Sequence, residues 1–77
     1  MSITVRAAWD DDACVWYVEE SDLFGVHAEA ATLDELRGKL PNVIEDVLSE
    51  NDPLQLRHDI TIELIAYART QMVAGAA

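Results

Sequence analysis

Seven aliphatic residues between positions 33 and 48 recur at intervals of three and four: Leu33, Leu36, Leu40, Val43, Ile44, Val47 and Leu48. At about 100° per residue they fall within a stripe roughly 140° wide, which is the pattern of a helix with one buried face. Thr32 and Glu35 mark its start as a T-x-x-E capping box: the Thr32 side chain accepts from the Glu35 amide, and Glu35 reaches back to the amide of Thr32. Asn51, Asp52 and Pro53 mark its end. Pro41 falls inside the pattern, removes one amide and crowds the carbonyl of Arg37, at a cost of about 3 kcal/mol or a kink. The stripe keeps its phase across Pro41, and Leu40 would make a poor cap for a second helix. The pattern therefore predicts one kinked helix over residues 30–51, and its apolar stripe must be covered.

The flanks of the helix supply the cover. Ile3, Val5, Ala7 and Trp9 alternate with Thr4, Arg6 and Ala8, the period of a half-buried strand. Asp10, Asp11 and Asp12 read as a turn. A second strand follows over Cys14 to Glu19, and both of its faces carry apolar groups, so the side taken by Trp16 stays open. Ser21, Asp22 and Gly25 make a break, and Val26 to Ala30 form a short third strand. Beyond the helix, Ile60, Ile62, Leu64 and Ala66 alternate with Thr61, Glu63, Ile65 and Tyr67, a fourth strand. A meander of three strands followed by a helical crossover to a fourth gives β-β-β-α-β. This is an α+β fold with a mixed sheet in the order 3-2-1-4 and the helix on one face. The other face is left open with apolar residues drawn from Val15, Tyr17, Ile65 and Tyr67, the candidate interface. Residues 1–70 are expected to form the domain and 71–77 a frayed tail.

A chain of 77 residues makes one domain, and a domain this small buries only about 60% of its unfolded surface. The single cysteine excludes an internal disulfide, and no Cys/His cluster suggests a structural metal. Self-association is the stabilising device that remains, so a homo-oligomer, a dimer or higher, is expected. Fifteen acidic residues against five basic ones give a net charge of -10. Such a surface repels phosphate backbones and suits a basic protein partner, so no direct nucleic-acid binding is expected. The acidic outer face of the helix (Asp34, Glu35, Glu45, Asp46, Glu50) is the candidate docking surface. No apolar run approaches the roughly 18 residues of a membrane span, and no secretory signal opens the chain, so a cytoplasmic setting without membrane contact is expected.

Few residues point to chemistry. Three adjacent aspartates in a tight turn rarely converge on one cation, so Asp10–Asp12 read as a solvated turn rather than a metal site. No spacing joins His27 to His58. Cys14 reads as an inert thiol packed in a strand. A nuclease would need carboxylates converging from the first strand, the helix and the last strand, where only Glu63 is present. No catalytic residue, metal site or cofactor is expected, and the chain reads as a non-enzymatic interaction module. The rival reading is a stand-alone oligomeric domain that binds a small molecule.

Two segments, Trp16-Tyr17-Val18-Glu19-Glu20-Ser21-Asp22-Leu23-Phe24-Gly25-Val26 and Ala30-Ala31-Thr32-Leu33-Asp34-Glu35-Leu36, carry a further signal. Together they resemble the HicB-like antitoxin domain, and most closely its short single-domain relatives. In that family an aromatic strand runs into a D-L-P-G-type turn, and T-L-x-E opens a helix. Asp22, Leu23 and Gly25 match the turn, while Phe24 and Ser21 stand where prolines are usual. Thr32, Leu33, Glu35 and Leu36 match the helix opening. The resemblance spans about residues 2–68. It implies a partial ribonuclease-H-like sheet without a nuclease site, and binding to a small basic RNA-cleaving toxin of the HicA kind. The C-terminal DNA-binding segment of full antitoxins has no counterpart in this sequence.

Overall fold

A computed structural model describes residues 1–75. Strands β1 (Ser2–Asp10), β2 (Val15–Ser21) and β3 (Glu29–Ala30) precede helix α1 (Leu33–Asn51), and β4 (Thr61–Tyr67) follows it after a short 3-10 turn at Pro53–Arg57. The sheet order is β3-β2-β1-β4. β1 pairs antiparallel with β2 and parallel with β4, and β2 pairs antiparallel with β3. This is the expected α+β arrangement. It follows from the pattern physics, because a meander leaves β1 with one free side and the helical crossover delivers β4 to it.

The helix covers one face. Leu36, Leu40, Ile44 and Leu48 are buried along it; Leu40, Ile44 and Leu48 meet Ile3 and Val5 of β1, Val26, and the half-buried Ile62 and Leu64 of β4, and Leu36 meets Ala7 and Ala30. Thr32 caps the helix as expected, its Oγ1 accepting from the Glu35 amide at 3.1 Å. The reciprocal bond from the Glu35 side chain does not form among the described residues. At the far end the Asp52 amide donates to the Leu48 carbonyl at 2.8 Å. Pro41 sits inside an unbroken helix of 19 residues. Its exposed position at the margin of the buried stripe lets the Arg37 carbonyl, deprived of its amide, turn to water instead of the core.

Three local expectations change. The second strand begins at Val15, not Cys14: Cys14 closes the turn with φ +55° and is exposed, so it is neither in a strand nor packed. An aspartate-rich turn needs a left-handed residue to reverse the chain, and Cys14 takes that position. The third strand shrinks from five residues to Glu29–Ala30, extended only by a bond from the Val18 amide to the Ala28 carbonyl. Val26 instead folds into the core, 3% exposed. Finally, β2 carries a bulge. Arg6 pairs with Glu20 while Ala7 pairs with Val18, so Glu19 is an extra residue. Of the tail expected over 71–77, residues 71–75 hold no strand or helix and are exposed, while 76 and 77 lie outside the described residues.

Candidate functional site

The reverse face of the sheet collects the four residues of the candidate interface. Side chains alternate along a strand, and Ile3, Val5 and Ala7 face the helix, so Thr4, Arg6 and Ala8 face the other way. In register with Ala8 stand Tyr17 on β2 and Tyr67 on β4, and Arg6 stands beside Ile65. Val15 pairs with Asp10 at the same end. Val15, Tyr17, Ile65 and Tyr67 therefore share one face, although nothing in the sequence set their register.

One feature of that face had no sequence signal. The Tyr67 hydroxyl donates to the carboxylate of Glu19, reaching from β4 over β1 to β2. Glu19 shares the face of Tyr17 by alternation, and the bulge after it brings Glu20, opposite Arg6, onto the same face. Flanked by the two tyrosines, Ala8 is only 6% exposed, whereas Ile65 and Tyr67 remain 42% and 40% exposed. The face is thus a small apolar platform edged by Glu19, Glu20, Arg6 and Glu63. Thr4 Oγ1 donates to Glu63 at 3.4 Å.

The five carboxylates of the helix, Asp34, Glu35, Glu45, Asp46 and Glu50, are all exposed on the outside of α1. They spread around the outer half rather than along one line. The two helix cations are engaged: Arg37 pairs with Asp34 at 3.6 Å, and the Lys39 Nζ donates to the Glu29 carbonyl at 2.8 Å. Among the described residues Asp34 is thus compensated, and Glu35, Glu45, Asp46 and Glu50 have no cationic side chain paired with them.

Trp16 lies on the helix side, packed against Ala7, Ala30 and Leu36. Trp9 is opposite it in register, the rings 5.4 Å apart and tilted by 58°. The Trp9 Nε1 donates to Asp11 at 2.6 Å. Beyond the start of the helix the pair floors an open cavity of about 500 Å³, closed on its sides by Thr32, Leu33 and Arg69.

The remaining candidates stay apart. The Asp10 carboxylate accepts from the amides of Asp12 and Ala13 at 3.0 and 3.2 Å, so it serves the turn. His27 and His58 line separate depressions on opposite parts of the surface. Among the described residues no three His, Cys, Asp or Glu side chains converge on one point, and no helix is long and apolar enough to cross a membrane. In the turn before β3, Ser21 Oγ accepts from the Leu23 amide at 3.1 Å. Gly25 completes the turn at φ +92°. Asp22 accepts from the Thr4 amide at 2.9 Å, satisfying β1 just past the end of its ladder with β2.

Comparison with known proteins gives a family without an activity. Residues 2–75 match the family described as a domain of unknown function, DUF1902. The crystal structure of hypothetical protein TTHA1013, from the extremely thermophilic bacterium Thermus thermophilus, is similar at 36% identity. The match covers 95% of this chain and 99% of that one, with a TM-score of 0.67. No curated protein matches the chain.

Proposed function

The chain belongs to the DUF1902 family, and from that premise we propose that it is a non-enzymatic interaction module of the HicB-like antitoxin kind. The observation that carries this is the division of its surface. Chemistry-bearing groups are dispersed, while the groups suited to protein contact are gathered into two areas. One is the apolar platform of Val15, Tyr17, Ile65 and Tyr67, and the domain self-associates through that face or through β4. The other is the acidic outside of α1, where Asp34, Glu35, Glu45, Asp46 and Glu50 dock a small basic protein, an RNA-cleaving toxin of the HicA kind. A net charge of -10 would steer such a partner and speed its encounter. The two areas lie on opposite sides of the molecule, so both are occupied together.

The test is titration with a purified small basic ribonuclease of that kind at low salt, read by calorimetry and by RNA cleavage. Binding with loss of cleavage, weakened at least tenfold by Glu45→Lys with Asp46→Lys, is the expected outcome. No heat and undiminished cleavage at low salt would refute the toxin-binding reading.

One observation favours a second reading, a small-molecule-binding domain: the cavity over Trp9 and Trp16 has the size of a ligand site, which typically runs from about 300 to 1,000 Å³. Quenching of tryptophan fluorescence by a screened metabolite, abolished by Trp9→Ala, would favour it. A metal-dependent nuclease has less support. Glu63 lies on the reverse face, Asp10 is committed to its turn, and the helix carboxylates lie on the far side of α1.

A further inference from the structure

Self-association, proposed for this domain and the basis of this inference, needs a contact, and the sheet has two edges that could make it. The β3 edge offers two residues and the β4 edge seven. The Thr61 amide donates to the Met1 carbonyl at 2.9 Å. Consecutive residues of a strand turn their amide and carbonyl to opposite sides. Thr61, Glu63, Ile65 and Tyr67 therefore bond to β1, and Ile62, Leu64 and Ala66 direct theirs out to the free edge. That edge has none of the features that usually discourage pairing. It contains no proline, no lysine and no bulge, and its one charge, Glu63, stands on the reverse face.

We propose that β4 pairs antiparallel with β4 of a second copy of this chain, across a two-fold axis at Leu64, to form a continuous eight-stranded sheet. A second copy is the occupant because the same edge then satisfies itself and the assembly closes. Head-to-tail pairing would have to use the two-residue β3 edge. The register follows from overlap. Laying Thr61–Tyr67 fully against itself sets Leu64 opposite Leu64, Ile62 opposite Ala66, and Glu63 opposite Ile65. All three outward residues of each copy are then bonded. Just beyond the strand ends, Asp59 of one copy comes opposite Arg69 of the other, twice. This pairs opposite charges between two chains that otherwise repel. Moving the axis to Glu63 would set two carboxylates face to face and lose an outward pair. On the helix side the axis brings together the two grooves of about 430 Å³ edged by Pro41, Leu56, Ile60 and Ile62. On the reverse side it extends the platform of Ile65 and Tyr67.

Two measurements test this. Light scattering gives the mass, expected at twice 8.5 kDa. Ala66→Pro removes an amide that β1 does not use, so it is expected to give a folded monomer by circular dichroism. The register is read with Cys14→Ser chains carrying either Glu63→Cys or Ile65→Cys. Residues 63 and 65 of opposite copies form a non-hydrogen-bonded pair with Cα atoms about 4.5 Å apart, within disulfide reach. Oxidation should cross-link the mixture of the two chains and neither chain alone. If Ala66→Pro unfolds the domain, the mixed disulfide decides by itself. A dimer that gives no mixed disulfide overturns the edge pairing and leaves self-association through the reverse face standing. A monomeric unmodified chain overturns both.

Discussion

Pro41→Ala should stabilise the domain, and the size of the gain can be worked from its surroundings. A proline in a helix interior is about 3 kcal/mol less favourable than alanine. The change restores the amide that the Arg37 carbonyl lacks, in a helix that already runs unbroken from Leu33 to Asn51. Against this, Pro41 edges the groove with Ile44 and Leu56, and trimming it removes partly exposed apolar contact worth about 1 kcal/mol at about 0.8 kcal/mol per fully buried CH₂. The net gain is about 2 kcal/mol. For a domain of this size each kcal/mol raises the Tm by about 4–8 °C, so a rise of about 8–16 °C is expected. Urea and thermal unfolding followed by circular dichroism provide the assay, at one protein concentration because association adds to apparent stability. A Cm that stays level or falls at unchanged m would refute the reasoning. It would mean that the fit of α1 to the twisted sheet depends on the proline at residue 41.

Leu40 is fully buried between the sheet and the helix, and Leu40→Ala is expected to cost about 2–5 kcal/mol in urea unfolding, most of the stability of a chain this small; a loss under about 1 kcal/mol would contradict the core described. Thr32→Ala removes the side-chain cap at the start of α1 and should lower stability by about 1 kcal/mol, while Ser at that position should retain most of it. Cys14→Gly relieves a left-handed residue at φ +55° and is expected to gain about 0.5–1 kcal/mol. The exposed Cys14 thiol should also react with a thiol reagent in the folded protein as fast as in denaturant, and protection would contradict its placement.

The sheet order was legible because it depends on periodicity alone. Alternation in β1 and β4 and the three-four spacing of α1 are local signals that survive without neighbours. What could not be read was anything decided by one residue of slippage. The bulge at Glu19 changes the pairing of β2 beyond Val18 and sets Glu20 opposite Arg6 on the reverse face, yet Glu19 and Glu20 are indistinguishable in the sequence. Trp16 was undecided for the same reason: with apolar groups on both faces of β2, only the register with Trp9 assigns it to the helix side. Cys14 reads as strand in the sequence because strand-forming residues follow it directly, while its positive φ comes from the turn before it. Residues 26–28 have β-rich composition, but a core site for Val26 and a single bond at Ala28 take the place of a ladder. That Val15, Tyr17, Ile65 and Tyr67 share one face of the sheet was foreseeable, and the bond from Tyr67 to Glu19 across β1 was not.

Charge acts with opposite sign on the two associations proposed for this surface, and that separates them. Two copies that each carry -10 repel, so added salt, which shortens the Debye length from about 10 Å at 0.1 M to about 3 Å at 1 M, favours their pairing along β4. Only the Asp59–Arg69 contacts lose strength. A basic partner on the outside of α1 is held by the same charge and is released by the same salt. Asp34, Glu35, Asp46 and Glu50 lie around the outer half of the helix, away from the outward-directed groups of Ile62, Leu64 and Ala66, and Glu45 alone also lines the groove beside β4. Most of the helix charge thus lies where a second copy does not go, and the strand that pairs carries Glu63 as its one charge.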